Sequence, residues 1–99
     1  MKIYISGPIT GTKGYMERFG KAEKMLKAAG HIAVNPAKVN AQLPKETTHA
    51  EYMKTSLAML EMCDTVFFLK GWEESEGCNM EFEYAYEHRH TIIFEGGRG

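Results

Sequence analysis

The sequence has little cysteine, no long hydrophobic run and no basic stripe, and each absence excludes a class of protein. Its two cysteines, Cys63 and Cys78, form no CxxC pair, which favours reduced thiols and a cytoplasmic location. The longest apolar runs, such as Thr65 to Leu69, are far too short to cross a bilayer. A formal net charge of −1, with Lys and Glu mixed along the chain, offers no surface for a phosphate backbone. We therefore expect neither a nucleic-acid partner nor a membrane partner.

The size and composition of the chain are those of one globular unit. A chain of 99 residues has room for a single hydrophobic core, so we expect one domain over residues 1–99. Hydrophobic residues make up 43% and charged residues 25%, close to globular averages and unlike a disordered or fibrous chain. Nothing at the start resembles a signal peptide, because a strand-like run begins directly at Lys2.

Short β-branched or aromatic runs alternate with helical patterns along the chain. The predicted strands are 2–6, 31–34, 65–69 and 91–94, the predicted helices are about 15–29, 49–62 and 78–88, and 95–99 reads as a frayed tail. This alternation predicts an α/β fold with a four-stranded parallel sheet in an order like 2-1-3-4. Ligands of such sheets bind beyond the carboxyl ends of the strands, where the strand order reverses. That edge selects Tyr4 to Gly11, Asn35, Lys70 to Gly77 and the first turns of the following helices.

A glycine turn, Gly7-Pro8-Ile9-Thr10-Gly11, follows the first predicted strand. Backbone amides in such a turn can hold an anion, but the glycines can equally serve only the close approach of the chain. The turn is neither a Walker motif nor a GxGxxG fingerprint, so it predicts no particular ligand. Lys13 and Lys70 are the nearby cations, and without a strong cationic cluster a highly charged ligand is disfavoured.

The segment from Gly71 to Glu81 carries four glutamates at the same predicted edge. Glu81 falls near the first turn of the last predicted helix, where the helix dipole favours an ionised carboxylate. Such a carboxylate suits nucleophilic attack on a sugar centre, or stabilisation of its positive charge, although simple charge complementarity with the helix also explains it. Trp72 either stacks on a nucleobase or covers the loop.

Two other groups of polar residues look functional and are not expected to be. Asp64 begins the third predicted strand, about 16 Å from the ligand edge at roughly 3.3 Å per residue, so it suits a structural cap. The run His88-Arg89-His90 has no third or fourth ligand at recognisable spacing. We expect no metal and no cofactor.

Four motifs together resemble the nucleoside 2-deoxyribosyltransferase superfamily, most closely its short bacterial and phage branch. They are Tyr4 to Gly11, Gly30 to Pro36, Cys63-Asp64 and Gly71-Trp72-Glu73-x-Ser75-x-Gly77-x-x-x-Glu81-x-x-x-Ala85. The resemblance extends over about residues 2–94 and includes deoxynucleoside 5′-monophosphate N-glycosidases. It implies a flavodoxin-like three-layer sandwich that cleaves or transfers at the N-glycosidic bond of a 2′-deoxynucleoside or its 5′-monophosphate.

The resemblance also implies roles for individual residues. Glu81 matches the nucleophile, Tyr4 the tyrosine that holds that carboxylate or the sugar, and Gly7, Ser75 and Gly77 the contacts to the 5′ end. Together with the sheet edge, this gives Glu81 and Tyr4 as candidate catalytic residues. The candidate substrate-binding residues are Ser6, Gly7, Pro8, Asn35, Ser56, Trp72, Ser75 and Gly77.

One position departs from the family pattern. Ser56 stands where the family usually carries an aspartate that assists the leaving base. A serine is no carboxylate acid at neutral pH, and general acid catalysis is worth about 10²–10⁴ in rate. Three alternatives follow: an enzyme, a binding module that senses or sequesters a nucleoside or nucleotide, and a plain interaction domain.

We also expect a homo-oligomer, a dimer or higher, that binds a small-molecule nucleoside or nucleotide. A four-stranded sheet leaves edges and helix faces uncovered, and longer family members continue to a fifth strand and complete a neighbour's site. The predicted apolar interface residues are Tyr52, Met59 and Met62.

Overall fold

Four parallel strands form one sheet. The second strand lies on one side of the first, and the third and fourth strands lie on its other side. The computed structural model describes residues 1–97. The strands are β1 (Lys2–Ser6), β2 (Ile32–Val34), β3 (Thr65–Phe68) and β4 (Thr91–Phe94). The helices are α1 (Tyr15–Ala28), α2 (Pro36–Asn40), α3 (His49–Glu61) and α4 (Glu76–Glu87). The order β2-β1-β3-β4, with every neighbouring pair parallel, confirms the predicted α/β topology.

Alternate strand residues face different helices, which builds three layers. Ile3 and Ile5 of β1 pack on the α1 side, whereas Tyr4 between them packs on the α3 and α4 side. β3 alternates in the same way, with Phe67 toward α1 and Phe68 toward α3 and α4. Because helices cover both faces, all four residues of β3 are buried, as expected of a central parallel strand.

Side-chain caps fix where the two long helices beside the site begin. Thr48 and Glu51 form a reciprocal capping box at the start of α3, with Thr48 N donating to Glu51 Oε1 at 2.8 Å. Ser75 caps α4 by accepting from Cys78 N at 3.3 Å. The cap at Ser75 places the first turns of α4 at the carboxyl end of the sheet.

The structure adds one helix to the predicted elements and moves the start of another. The loop expected after β2 contains α2, in which Pro36 occupies the first turn and the Asn35 side chain accepts from Lys38 N at 3.2 Å. Five residues are too few to show a helical period, so the pattern could not reveal this helix. α4 begins at Glu76, two residues earlier than predicted.

The predicted frayed tail is wrong for its first part. Residues 95–97 form a 3₁₀ turn, and Glu95 Oε1 accepts from Lys70 N at 2.7 Å, which ties this turn to the loop after β3. The remaining part of the predicted tail, 98–99, lies outside the described residues.

Asp64 has the structural role predicted for it. Its Oδ2 accepts from Lys2 N at 3.2 Å and its Oδ1 from the Thr65 hydroxyl at 2.6 Å, so it joins the amino ends of β1 and β3. Among the helices of residues 1–97, none is long and apolar enough to span a membrane.

Candidate active site

Glu81 is a buried carboxylate held by two hydroxyl groups. It projects from the second turn of α4 and is only 6% exposed. The Tyr4 hydroxyl donates to Glu81 Oε2 at 2.5 Å, and the Ser6 hydroxyl donates to Oε1 at 2.6 Å. Tyr4 and Ser6 are two residues apart on β1, so both side chains point to the sheet face that α4 covers.

Burial, more than the helix dipole, determines the protonation of Glu81. Desolvation raises the pKa of Glu81 to about 7, although the hydrogen bonds from Ser6 and Tyr4 act in the opposite direction. The effect of the helix start, which was expected to favour the ionised form, is weakened because Glu81 is the sixth residue of α4 and lies beyond the first turn. Burial and the nearby carboxylate also raise the pKa of Tyr4, so its phenol remains a proton donor.

A cavity of about 1030 Å³ adjoins Glu81. This volume is at the upper end of the roughly 300–1,000 Å³ typical of small-molecule sites. The cavity walls come from the loop after β1, the helices α2 and α3, and the loop between β3 and α4. The predicted residues that line it are Tyr4, Gly7, Pro8, Ser56, Ser75, Gly77 and Glu81. Ser6 joins this group through its bond to Glu81.

Neighbouring side chains approach two glycines of the cavity wall closely. A Cβ on Gly7 would lie 2.7 Å from Leu69 Cδ1 and 3.1 Å from Leu69 Cβ, so the loop passes β3 with no room for a side chain. A Cβ on Gly77 would lie 3.3 Å from Met53 Sδ. Gly7 therefore has the steric role that the sequence offered as one alternative for the turn, whereas Gly11 has a φ of +74° and open space around it.

Ser56 is part of a buried polar group on the α3 side of the cavity. Its hydroxyl accepts from Asn40 Nδ2 at 3.1 Å, and both residues are at most 9% exposed. Asn40, Ser56, Tyr4 and Glu81 all line the cavity.

Side chains from α1 and from the last turn hold the loop after β3. Arg18 Nη2 donates to Lys70 O at 2.8 Å, and Glu95 Oε1 accepts from Lys70 N at 2.7 Å and lies 3.7 Å from Arg18 Nη2. We call this arrangement the Arg18–Lys70–Glu95 clasp. Arg18 and Lys70 also line the cavity and bring positive charge to it.

Comparison with known proteins places the chain in a family. Residues 1–94 match the model of a family described as Domain of unknown function (DUF4406). The chain belongs to this family. No curated protein matches the sequence.

The fold is that of a solved 2-deoxyribosyltransferase from the psychrotolerant bacterium Bacillus psychrosaccharolyticus. The two chains share 18% sequence identity and superpose with a TM-score of 0.75 over 95% of this chain and 71% of the other. The likeness confirms the predicted flavodoxin-like arrangement, including the strand order. At this identity it establishes the fold alone.

Two predicted site residues lie outside the cavity. Asn35 caps α2 and donates from Nδ2 to Glu23 Oε1 at 3.0 Å, so its side chain is occupied between α1 and α2. Trp72 lies in a 3₁₀ turn that directs its ring over the core, where its centroid is 4.9 Å from that of Phe68 and 5.0 Å from that of Phe82. Trp72 thus packs against aromatic residues of the core, whereas the alternatives considered for it were stacking on a nucleobase and covering the loop.

Several lining residues were not named as candidates from the sequence, although His49 and Tyr52 fall in a helix turn that the sheet edge selects. His49, Tyr52 and Met53 line the cavity with Ser56, and their spacing on α3 is the helical pattern that would have revealed a shared face. Asn40 gave no signal because α2 itself was not recognised. Within residues 1–97, no three His, Cys, Asp or Glu side chains are grouped so as to hold a metal ion.

Proposed function

We propose that this protein cleaves or transfers at the N-glycosidic bond of a 2′-deoxynucleoside or its 5′-monophosphate, with Glu81 as the nucleophile. The observation that carries the proposal is the buried Glu81 carboxylate beside the cavity, held by Tyr4 and Ser6. The fold shared with a 2-deoxyribosyltransferase supports the same reaction class. It is an analogy of fold rather than of site.

The proposed reaction is a double displacement at the anomeric carbon. A Glu81 oxygen forms an ester bond to C1′ while the C1′–N bond breaks and its electron pair leaves with the base. Water or a second base then attacks C1′ and releases the carboxylate. Tyr4 and Ser6 hold the carboxylate plane fixed, so the attacking oxygen is positioned before the substrate arrives.

The departing base needs a proton, and Ser56 cannot supply one as an aspartate would. A missing carboxylic acid at this place lowers the expected rate by about 10²–10⁴. We therefore expect slow turnover, either as hydrolysis or as exchange between bases.

The second candidate is a module that binds the same ligands without efficient chemistry, acting as a sensor or a sequestering protein. Ser56 favours it, because its hydroxyl is already engaged with Asn40. This candidate predicts tight binding without turnover, and binding that survives Glu81→Gln.

Chromatographic detection of free base separates the two candidates. The wild type, Glu81→Ala and Glu83→Ala are incubated with deoxynucleosides and their 5′-monophosphates, with and without a second base. Glu83 is the matched control because it lies on α4 but is exposed. Base release by the wild type and Glu83→Ala, and not by Glu81→Ala, is the result expected of an enzyme. No release from any substrate, with thermal stabilisation by one of them, would instead favour the binding module.

We further propose that the chain is a single domain that forms a homo-oligomer. Met62 is 59% and Tyr86 65% exposed, so both remain open to an apolar partner surface. Two residues of the predicted interface are placed elsewhere: Met59 is buried in the core, and Tyr52 lines the cavity. If sedimentation at micromolar concentration showed only an 11 kDa species, the proposed homo-oligomer would be contradicted.

A further inference from the structure

The loop of residues 69–75 joins β3 to α4, and the side chain of Asn79 ties the second half of this loop to α4. We infer that Asn79 is a positioning residue, which holds the cavity wall of residues 74–77 in place without touching the ligand. The inference rests on the proposed function, since it concerns how the same cavity binds its ligand.

The Asn79 side chain donates two hydrogen bonds to the loop. Asn79 is the fourth residue of α4, and its Nδ2 donates to Glu73 O at 2.9 Å and to Ser75 O at 2.8 Å. An amide NH₂ group carries two hydrogens, so both are used on these two carbonyl groups. The main-chain N–H of Asn79 also donates to Ser75 O, at 3.0 Å. We call the two side-chain bonds the Asn79 bracket.

The two ends of the loop have other anchors. The clasp described above holds the backbone of Lys70, and the Trp72 ring packs on the aromatic core. At the far end, Ser75 caps the start of α4. Within the described residues, Asn79 is the side-chain donor to Glu73 O, so it joins the stretch between these anchors to the helix.

The bracket acts on the cavity from outside. Residues 74–77 line the cavity, whereas Asn79 is exposed and is not part of the lining. The two carbonyl groups that it binds, those of Glu73 and Ser75, lie on either side of the lining residue Glu74. A change at Asn79 therefore alters the wall through the backbone of the loop, and not through a lost contact with the ligand.

The kind of residue at position 79 agrees with this role. An exposed position in a helix is best filled by alanine or a long straight side chain, and asparagine is among the poorer helix formers. Aspartate, which has the same shape, carries no hydrogen to donate. Asparagine is therefore explained by the two carbonyl groups that it binds, and not by the stability of the helix alone.

Loosening this wall should affect binding more than the chemical step. Glu81 is held by Tyr4 and Ser6 of β1, through bonds that do not involve the loop. A loop that is less ordered before binding must lose more freedom when the ligand binds, which weakens binding. We therefore expect a raised KM, with kcat less affected.

The first part of the test is amide hydrogen exchange, followed by NMR of ¹⁵N-labelled protein, in Asn79→Ala, Asn79→Asp and Glu83→Ala. Alanine removes both bonds while favouring the helix, and aspartate keeps the shape of asparagine but donates nothing. Glu83→Ala is the matched control, because Glu83 is exposed on α4 one turn further along. The amides of Ser75 and Cys78 should exchange about threefold to tenfold faster in both Asn79 variants, while those of β3 and the control exchange as in the wild type.

The second part is steady-state kinetics with the deoxynucleoside or 5′-monophosphate of the panel that releases most base. KM should rise about threefold to tenfold in both Asn79 variants, with kcat changed by less than about twofold. Glu83→Ala should keep the wild-type values of both constants.

Wild-type exchange at the loop amides in folded Asn79→Ala would overturn the inference, and so would faster exchange with an unchanged KM in an active variant. Equally faster exchange in the loop and in β3 would also overturn it, because Asn79 would then stabilise the whole fold. If one Asn79 variant does not fold, as checked by circular dichroism, the other decides; if neither folds, the inference fails. If no substrate of the panel releases base, the proposed catalysis fails, while hydrogen exchange still decides whether the bracket holds the wall.

Discussion

Replacing Glu81 by glutamine should stabilise the folded protein above neutral pH, although it removes the proposed nucleophile. The pKa of Glu81 is raised from 4.5 to about 7 by burial. A folded state with a raised carboxyl pKa holds its proton more tightly than the unfolded chain does. Stability is therefore lost as pH rises from 4.5 through about 7, and the whole loss is present above that range.

The magnitude follows from the size of the shift. About 2.5 units at 1.36 kcal/mol each give about 3 kcal/mol for ionised Glu81 at pH 8, and less than about 1 kcal/mol at pH 5. Glutamine has nearly the same shape and no charge, and its oxygen can still accept from Tyr4. The variant should therefore behave like the protonated glutamate at every pH.

The measurement is the free energy of unfolding in urea at pH 5, 6, 7 and 8 for wild type, Glu81→Gln and Glu83→Gln. We expect the gap between Glu81→Gln and wild type to widen by about 2 kcal/mol from pH 5 to pH 8. Glu83→Gln, at an exposed position, should show no such widening. A constant gap, or a glutamine variant less stable than wild type at pH 8, would refute the claim that Glu81 is ionised against an unfavourable environment.

Three further predictions concern activity and packing. If Glu81 attacks as a carboxylate, log kcat/KM should rise with a slope of about one below pH 7 and level off above it, and a rate independent of pH from 5 to 7 would contradict this. Gly7→Ala should destabilise the protein by about 1–3 kcal/mol, because the new methyl group would clash with the Leu69 side chain. Gly20→Ala, in open space on α1, should stabilise the protein by about 0.5–1 kcal/mol. Equal melting temperatures of the two variants would contradict both expectations. Glu95→Ala frees the Lys70 amide, so KM should rise about threefold to tenfold in steady-state assays with kcat less affected, and an unchanged KM would show that the clasp does not shape the cavity.

The topology could be predicted because it depends on patterns that local sequence carries. β3 is apolar on both faces and short connections join strands to helices, so a parallel sheet with right-handed crossovers follows. The contact of Tyr4 and Ser6 with Glu81 could also be predicted from the sequence. Residues two apart on a strand share a face, and the family resemblance had singled out Glu81.

The features of the site that could not be predicted from the sequence depend on contacts between distant segments of the chain. Arg18 and Glu95 meet at Lys70 across the fold, and no spacing along the chain signals that meeting. The place of Asn40 in the cavity wall depends on α2, and this helix is too short for its sequence to show a helical period. The charge of Glu81 was predicted from its place on a helix, but desolvation depends on what the other elements pack around it.

The side chains that contact Glu81 help to decide between an enzyme and a binding module. A buried carboxylate with a purely structural role is usually paired with a cation. Here its partners are two hydroxyl groups, while Arg18, a cation of the cavity lining, is engaged with Lys70 O and Glu95. A binding module would be served at lower cost by glutamine, whose oxygen accepts from one hydroxyl and whose NH₂ donates to the other without a charge to desolvate. An ionisable group that opposes folding at neutral pH is better explained by chemistry that needs its charge, and this favours the enzyme.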